Sequence, residues 1–331
     1  MYTMKTSEQI VLTGIRPTSN LTIANYIGAI MPILEFQKQG MNPYVFVADL
    51  HALTDNEPEI LKYGDEILID LLASAVDPTK TIIYKQSSIS REIGILTLLL
   101  ARHVSVAELL RLPTLKEKVK SDNVDSANAL LMMYPVMMTA DILVQRSSII
   151  PVGKDQASHI EIARKIARRF NKEVADIFPE PKAHLMDMVK ILSLKDESKM
   201  SKSSPDGAIF LTDNPDIVTQ KIKRAKTSIA GVMSESLESH VIIIKSICND
   251  TEIITNVDNL IKDHLKGLNV MGDFKKIFTE VVINFLHDFQ LRRKEIVVNK
   301  DKYLVQLEQS SNVAIFNARE TMKMVFNALK L

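Results

Sequence analysis

Two short segments carry residue types that bind polyphosphates. The first starts at Gly14 and contains Thr22 and Asn25, which lie one turn apart at a predicted helix start. The second is Lys199–Ser203, which carries two lysines and two serines. Helix N-termini and flexible lysine side chains both attract phosphate, so the pair indicates a nucleotide site. Plainer interpretations stay open: Thr22 or Asn20 as a simple helix cap, and Lys199–Ser203 as a solvated linker.

A different chemistry comes from Asp141, an acid inside the apolar run Tyr134–Val144. An unpaired buried charge is costly, so this carboxylate needs a partner. The partner is either a structural group, such as a helix end or the backbone, or a donor on a substrate. Tyr134 and Met138 fall on or near the same helical face and fit a pocket wall, although ordinary core packing explains each of them as well.

His51 follows the second predicted strand, where it can face a cleft, although a lone histidine there is also commonly structural. We expect Leu12, Ile150 and Val152 to complete the apolar walls. No two histidines have the i, i+4 spacing of metal ligands. The single cysteine, Cys248, excludes a disulfide framework and a cysteine-based zinc cluster, so we expect no metal site.

Composition excludes several classes of protein. The chain has 331 residues, with 41 Lys+Arg against 40 Asp+Glu, so it is not a globally basic nucleic-acid coat protein. Its apolar runs are far shorter than a membrane span, and its first residues have no long apolar core. We therefore expect a cytoplasmic location and no membrane partner. The sequence contains no tryptophan.

Predicted strands and helices alternate in the first half of the chain and must position these residues. This alternation is typical of a parallel α/β sheet. Gln9–Leu12 and Tyr44–Ala48 predict strands, and Thr22–Gln39 predicts the helix between them. A later helical pattern is interrupted at Tyr134-Pro135. From Pro215 onward the pattern is helical throughout. The last three helices are predicted at Gly272–Gln290, Arg292–Ser310 and Ala314–Leu331.

The two phosphate-type segments resemble the two signatures of class I aminoacyl-tRNA synthetases. Thr22–Asn25 is similar to the first signature, HIGH, and Lys199–Ser203 matches the second, KMSKS, letter for letter. Three further segments narrow the resemblance to the tryptophanyl-tRNA synthetase family: Gly28-Ala29, Ala140–Leu143 and the block Pro151–Asn171.

The resemblance implies the fold class α/β, with a Rossmann-like parallel sheet catalytic domain followed by a smaller all-helical domain. The first domain, 1–187, would include the dimerisation helices. The second, 188–331, would hold the KMSKS loop and bind the tRNA anticodon, and its last helix is a candidate to pack back on the catalytic domain. The implied activity joins L-tryptophan to ATP, forming tryptophanyl-adenylate and pyrophosphate. It then transfers tryptophan to the 3′-terminal adenosine of tRNA(Trp), in a homodimer, with Mg²⁺ carried on the ATP phosphates.

The resemblance also implies roles for individual residues. The implied catalytic residues are Thr22, Asn25, Lys199, Ser201 and Lys202. The implied ATP-binding residues are Arg16, Pro17, Thr18, Ala24, Asn25, Lys118, Gly153, Lys154, Asp155, Ile191, Lys199, Met200, Ser201, Lys202 and Ser203. Those implied for tryptophan are Leu12, His51, Tyr134, Met138, Asp141, Ile150, Val152 and Gln156. Asp141 would accept the indole N–H, and Gln156 and Tyr134 are candidates for the substrate ammonium and carboxylate. A solvated charge run explains Lys118 about as well.

Three positions depart from the family pattern. Ala24 replaces a glycine before Asn25, Ser19 replaces a second common glycine, and Arg16 replaces a common glutamine. A methyl group at Ala24 would crowd an adenine base, and we hypothesise that the Arg16 cation partly compensates. These departures keep a non-catalytic paralogue open as an alternative, beside a tyrosyl-tRNA synthetase. A dinucleotide-dependent dehydrogenase lacks its glycine fingerprint here.

Two basic runs lie in the helical second half. The runs are Lys221, Lys223, Arg224 and Lys226, and then Arg292, Arg293 and Lys294. They predict contacts with tRNA phosphates, although each run on its own also fits a solvated helix face.

Overall fold

A computed structural model describes residues 9–17, 20–53, 63–113, 115, 129–153, 157–185 and 190–331. Strands β1, β2 and β3 pair in parallel, as do β4 and β5. A parallel bridge from Val11 to Ile149 joins β1 to β4, which gives the order β3-β2-β1-β4-β5 across the described strands. The strands are β1 (Leu12–Ile15), β2 (Tyr44–Val47), β3 (Ile82–Lys85), β4 (Ile149–Val152) and β5 (Lys182–Leu185).

Helices connect these strands and fill the second half. Up to β5 the helices are α1 (Ile23–Asn25), a π turn (Tyr26–Ile30), α2 (Met31–Lys38), α3 (Asp49–Ala52), α4 (Tyr63–Ala73), a 3₁₀ turn (Gln86–Ile89), α5 (Ser90–Ala101), α6 (Val106–Leu109), α7 (Ala129–Val144) and α8 (Ala157–Glu173). After β5 come a 3₁₀ turn (Pro205–Gly207), α9 (Pro215–Arg224), α10 (Glu235–Ile247), α11 (Thr251–Leu265), α12 (Met271–Val298) and α13 (Lys300–Leu329).

Helices cover both faces of the sheet at β2, whose successive residues point to opposite sides. In β2, Val45 and Val47 join an apolar cluster with α2, α4 and the helices α9 to α12. Phe46 joins a second cluster with α5, α7, α8 and α13. The expected α/β architecture with a parallel sheet is confirmed. None of the helices in the described part of the chain is both long and apolar enough to span a membrane.

The first strand begins at Leu12, so the predicted strand Gln9–Leu12 is placed about three residues too early. The register explains the difference. Leu12 lies opposite Tyr44 in β2 and Ile15 lies opposite Val47, so β1 follows the length of its partner strand. β1 therefore reaches Ile15, and Arg16 follows it directly at the edge of the sheet.

Pro135 does not interrupt its helix, contrary to the sequence prediction. α7 runs unbroken from Ala129 to Val144 with Pro135 inside it. A proline removes one N–H from the ladder, and the strongly apolar helix is held by burial of most of its length. Asp141 and Tyr134 therefore stand on one continuous helix.

The C-terminal region forms two long helices, α12 and α13, where the sequence predicted three. Their boundary is at Asn299, so the breaks predicted near Leu291 and between Ser310 and Ala314 are wrong. Polar residues around Ser310 gave the pattern of a turn. In the structure the Ser310 hydroxyl accepts the N–H of Ile83 at 2.6 Å and bonds to the carbonyl of Thr81 at 3.2 Å. α13 thus covers the edge of β3.

Candidate active site

A cavity of about 510 Å³ opens beside the carboxyl ends of β1, β2 and β4, where ligands bind in open α/β sheets. Gly14 shapes one wall, since a Cβ there would lie 2.6 Å from the ring of Phe46. Fourteen of the residues implied for ATP or tryptophan line this cavity: Leu12, Arg16, Ala24, Asn25, His51, Tyr134, Met138, Asp141, Ile150, Val152, Gly153, Ile191, Lys199 and Met200.

Other implied residues are not brought to the cavity or cannot be placed. Those that do not line it are Pro17, Thr22, Ser201, Lys202 and Ser203. Those that lie outside the described residues are Thr18, Lys118, Lys154, Asp155 and Gln156.

Asp141 is the centre of what we call the acid region, formed by the cavity residues His51, Tyr134, Met138 and Asp141 together with Gln86, which bonds to Asp141. Its carboxylate is 2% exposed. Oδ2 lies 2.8 Å from Nε2 of His51, and the Gln86 side-chain amide donates to Oδ1 at 2.8 Å and to Oδ2 at 2.9 Å. Burial raises the pKa of Asp141, and the hydrogen bonds from His51 and Gln86 oppose that rise.

Gln86 was not predicted from the sequence as a site residue. It lies directly after β3, so the rule that pointed to His51 after β2, polar residues at the carboxyl ends of parallel strands, also applies to it. A glutamine in that position carries no charge and no motif, which is why it gave no separate signal.

Tyr134 is oriented by a second histidine that the sequence did not associate with it. The Tyr134 hydroxyl lies 3.0 Å from Nε2 of the buried His159 on α8. The Tyr134 ring also meets the His51 ring edge to face, with centroids 6.4 Å apart. Tyr134, His51 and Asp141 thus form one connected wall of the cavity.

Thr22 and Asn25 begin α1 as a capping box, one of the interpretations left open above. Oδ1 of Asn25 accepts the N–H and the hydroxyl of Thr22, both at 3.0 Å, and the Asn25 N–H donates to Oγ1 of Thr22 at 3.3 Å. Thr22 is 1% exposed and does not line the cavity, while Asn25 does. The polar group that this helix start offers to the cavity is therefore Asn25.

The KMSKS segment is one arm of a short hairpin. Met200 donates its N–H to the carbonyl of Ile191 at 2.9 Å, and Leu192 and Lys199 form an antiparallel bridge. This hairpin places the exposed Lys199 and the buried Met200 on the cavity. We call Asn25, Lys199 and Met200 the lysine region of the cavity.

Backbone hydrogen bonds join the segment after the 3₁₀ turn Pro205–Gly207 to the first signature. Ile23 donates its N–H to the carbonyl of Ile209 at 2.9 Å, and Leu211 donates to Leu21 at 2.9 Å. Gly207 permits the close return of the chain, because a Cβ there would lie 2.2 Å from Oγ of Ser193. The two signature segments, far apart in sequence, are therefore built against each other.

Lys202 lies apart from Lys199. Its side chain is half-buried and does not line the cavity. Burial lowers the pKa of Lys202 to about 8, and the negative charge of Asp70 opposes that shift. The hydroxyls of Ser201 and Ser203, 2.7 Å apart, bond to each other.

The structure corrects the interpretation of the basic runs. Arg292 donates to the carbonyl of Ala73 at 2.7 Å. Arg293 pairs with the buried Asp70 at 2.8 Å and also with Glu66. These two arginines therefore fasten α12 to α4, a role within the protein that the sequence did not indicate.

The first basic run is also partly engaged within the protein. Lys221 pairs with Asp213 at 2.7 Å, and Lys226 pairs with Glu197 at 2.8 Å. Lys226 stays exposed in this ion pair, and the other exposed basic side chains of the two runs are Lys223, Arg224 and Lys294.

Comparisons with known proteins agree with this geometry. The model of the family described as tRNA synthetases class I (W and Y) matches residues 4–287. The chain is 32% identical to the tryptophan–tRNA ligase of Chlamydia caviae, over 97% of this chain and 95% of that protein. It is 34% identical to that of Mycoplasmopsis pulmonis, over 96% and 98%. The tryptophanyl-tRNA synthetase of Campylobacter jejuni, complexed with ADP and tryptophan, superposes with a TM-score of 0.83 at 27% identity, covering 98% of this chain and 100% of that one.

Proposed function

This chain belongs to the class I tRNA synthetases (W and Y), and we propose that it acts in that family as a tryptophan–tRNA ligase. It would activate L-tryptophan with ATP and then transfer it to the 3′-terminal adenosine of tRNA(Trp). The observation that carries the choice of amino acid is Asp141, a buried carboxylate held in place on the wall of an apolar cavity.

Amino-acid selection follows from that carboxylate. An indole ring would lie among Leu12, Met138 and Ile150, which line the cavity, with its N–H directed at Asp141. Phenylalanine would leave Asp141 without its donor, a loss of roughly 1–3 kcal/mol or more. Tyrosine would present its O–H from a smaller ring, so that hydroxyl would lie at a different distance from Asp141 than the indole N–H does.

The activation step needs no general base, because the nucleophile is the tryptophan carboxylate, which is already an anion. Its oxygen attacks the α-phosphorus of ATP, the bond to the bridging oxygen breaks, and pyrophosphate leaves. The protein's contribution is to align the reactants and to stabilise charge on the leaving group. In line with this, none of the described residues that line the cavity is a serine or a cysteine.

The phosphates of MgATP would meet Asn25 and Lys199, which already line the cavity. Lys202, Ser201 and Ser203 lie on the same short loop, so their role requires that loop to move when ATP enters. Mg²⁺ would arrive on the ATP phosphates as part of the substrate. Gly153, Ile191 and Met200 are proposed to surround the ribose and adenine.

The domain division at 187/188 and the homodimer are proposals as well. Exposed apolar side chains on and next to the sheet-domain helices α5 and α6 support a dimer through that domain. Leu98 is 73% exposed, Val106 is 62% exposed and Leu110 is 44% exposed. The exposed Lys223, Arg224 and Lys294 are proposed to contact tRNA phosphates. A cytoplasmic location belongs to the same proposal, since tRNA charging takes place there.

ATP–pyrophosphate exchange with each amino acid in turn tests the proposed function. We expect exchange with L-tryptophan far above that with L-tyrosine. Exchange with tyrosine alone would instead favour a tyrosyl-tRNA synthetase. Background exchange with every amino acid, in a preparation that still binds ATP, would favour a non-catalytic paralogue.

A further inference from the structure

Gln86 lies beside the cavity without lining it, and its side chain is fully buried (0% exposed). It follows β3 directly and starts a 3₁₀ turn. Its Oε1 accepts the backbone N–H groups of Leu50 at 3.1 Å and His51 at 3.2 Å. Its Nε2 donates to both carboxylate oxygens of Asp141. Gln86 therefore joins β3, α3 and α7 at one point.

These partners fix which way the Gln86 amide faces. A backbone N–H can only donate, so the amide atom next to Leu50 and His51 must be the oxygen. The NH₂ group then faces Asp141, whichever way the two amide atoms would otherwise be assigned. An NH₂ that faces both oxygens favours the ionised carboxylate, which accepts hydrogen bonds at both.

The number of acceptor positions on Asp141 is limited. An ionised carboxylate accepts about four hydrogen bonds. Within the described part of the chain, Gln86 occupies two of these and His51 occupies one. About one position is left toward the cavity, which matches a substrate that offers a single N–H. Without Gln86 about three positions would be open to water or to a displaced donor.

We propose that Gln86 is a positioning residue that makes Asp141 selective for a single N–H donor. It does so by holding the plane of the carboxylate and by filling its other acceptor positions. This inference rests on the proposed function, because it takes the indole N–H as that donor. Gln86 touches no substrate and acts through Asp141 and the backbone of His51.

The main test replaces Gln86 by methionine, which has similar volume and no amide. ATP–pyrophosphate exchange would be measured with L-tryptophan and with β-(benzothiophen-3-yl)alanine, in which sulphur replaces the indole N–H. We expect the preference for tryptophan to shrink by about tenfold or more in Gln86→Met, mainly through KM for tryptophan, with KM for ATP unchanged. Ser87→Ala is the matched control, because Ser87 lies in the same turn but bonds to Asp49. It should keep the full preference.

A second variant keeps the acceptor end of the Gln86 side chain and changes its donor end. Gln86→Glu keeps an acceptor for the two backbone N–H groups but sets a carboxyl against Asp141. Two facing carboxyls hold a proton between them more tightly, so KM for tryptophan should depend on pH more steeply than in the wild type. The other groups that influence the pair are His51, Asp49 and Tyr84. This variant also serves if Gln86→Met does not fold, as judged by circular dichroism.

The outcomes separate this inference from the proposed function. If the wild type activates tryptophan and the folded Gln86 variants keep its preference and its pH profile, the role of Gln86 is wrong while the proposed function stands. If the wild type activates no tryptophan, the proposed function fails first. A reduced preference in the Gln86 variants, beside an unchanged Ser87→Ala control, supports the positioning role.

Discussion

In the acid region of the cavity, Asp141 is 2% exposed and held by hydrogen bonds from Gln86 and His51. In the lysine region, Lys199 is exposed, and the serines of the same loop bond to each other. The carboxylate of the first region is already held by protein hydrogen bonds, whereas of the two loop lysines only Lys199 lines the cavity. Under the proposed function, the difference implies that selection of the amino acid is preorganised, whereas stabilisation of the leaving pyrophosphate would require ATP to draw the loop inward.

The largest effect is expected from removing the loop charge that already reaches the cavity. Lys199→Ala should lower kcat of ATP–pyrophosphate exchange by about 100- to 1000-fold, because charge on the leaving group loses a stabilising partner. KM for tryptophan should stay within about twofold, since the acid region is untouched. The control is Lys195→Ala. Lys195 is an exposed lysine of the same hairpin, and it pairs with Asp206. Equal losses in kcat for both variants would contradict the distinction between the two regions.

The anchoring of α12 to α4 gives the next effect. Arg293→Met should lower the free energy of unfolding by about 3 kcal/mol, because it leaves Asp70 buried without its partner. The exposed neighbour is the matched control: Lys294→Met should leave stability within about 0.5 kcal/mol. Urea denaturation measures both. A stable Arg293→Met protein with weakened tRNA binding would restore the phosphate-contact interpretation of that arginine.

The loop that carries Lys199 and Lys202 should also respond to pH. Because the pKa of Lys202 is about 8, its charge is lost as the pH rises above that value, and the exchange rate should fall there. The free energy of unfolding should instead increase with pH. Between about pH 8 and 10.5 the unfolded chain binds more protons than the folded one, so unfolding becomes harder as pH rises. Lys202→Arg keeps its charge and should move the fall in rate to higher pH. A flat wild-type profile from pH 7 to 9.5 would show that Lys202 takes no part.

The smallest effect concerns Ala24, which lines the cavity beside Asn25. If its methyl group crowds the adenine base, Ala24→Gly should lower KM for ATP by about two- to threefold and leave KM for tryptophan unchanged. Arg16 lines the same cavity and donates weakly to the carbonyl of His51 at 3.5 Å, which places its cation toward the acid region. An unchanged or higher KM for ATP in Ala24→Gly would count against crowding.

The sequence predicted the parts of this site that repeat a pattern. Alternating apolar runs predicted the parallel sheet, and strand ends and motifs predicted His51, Asp141 and Lys199. It did not predict Gln86 or His159, because their roles depend on which strands and helices meet in space. It also gave no sign that Arg293 pairs with Asp70, since charge along one helix does not show what faces it. Ser310 misled the boundary prediction for a similar reason, since its partner is the edge of β3.

The central claim is that the cavity beside Asp141 holds tryptophan, and fluorescence tests it most directly. The chain contains no tryptophan of its own, so the indole signal comes from the substrate alone. Titrating L-tryptophan with the protein should shift its emission to shorter wavelength and saturate. In Asp141→Asn the same shift should need about 10- to 100-fold more protein. No shift with the wild type, or an identical titration with Asp141→Asn, would contradict the account.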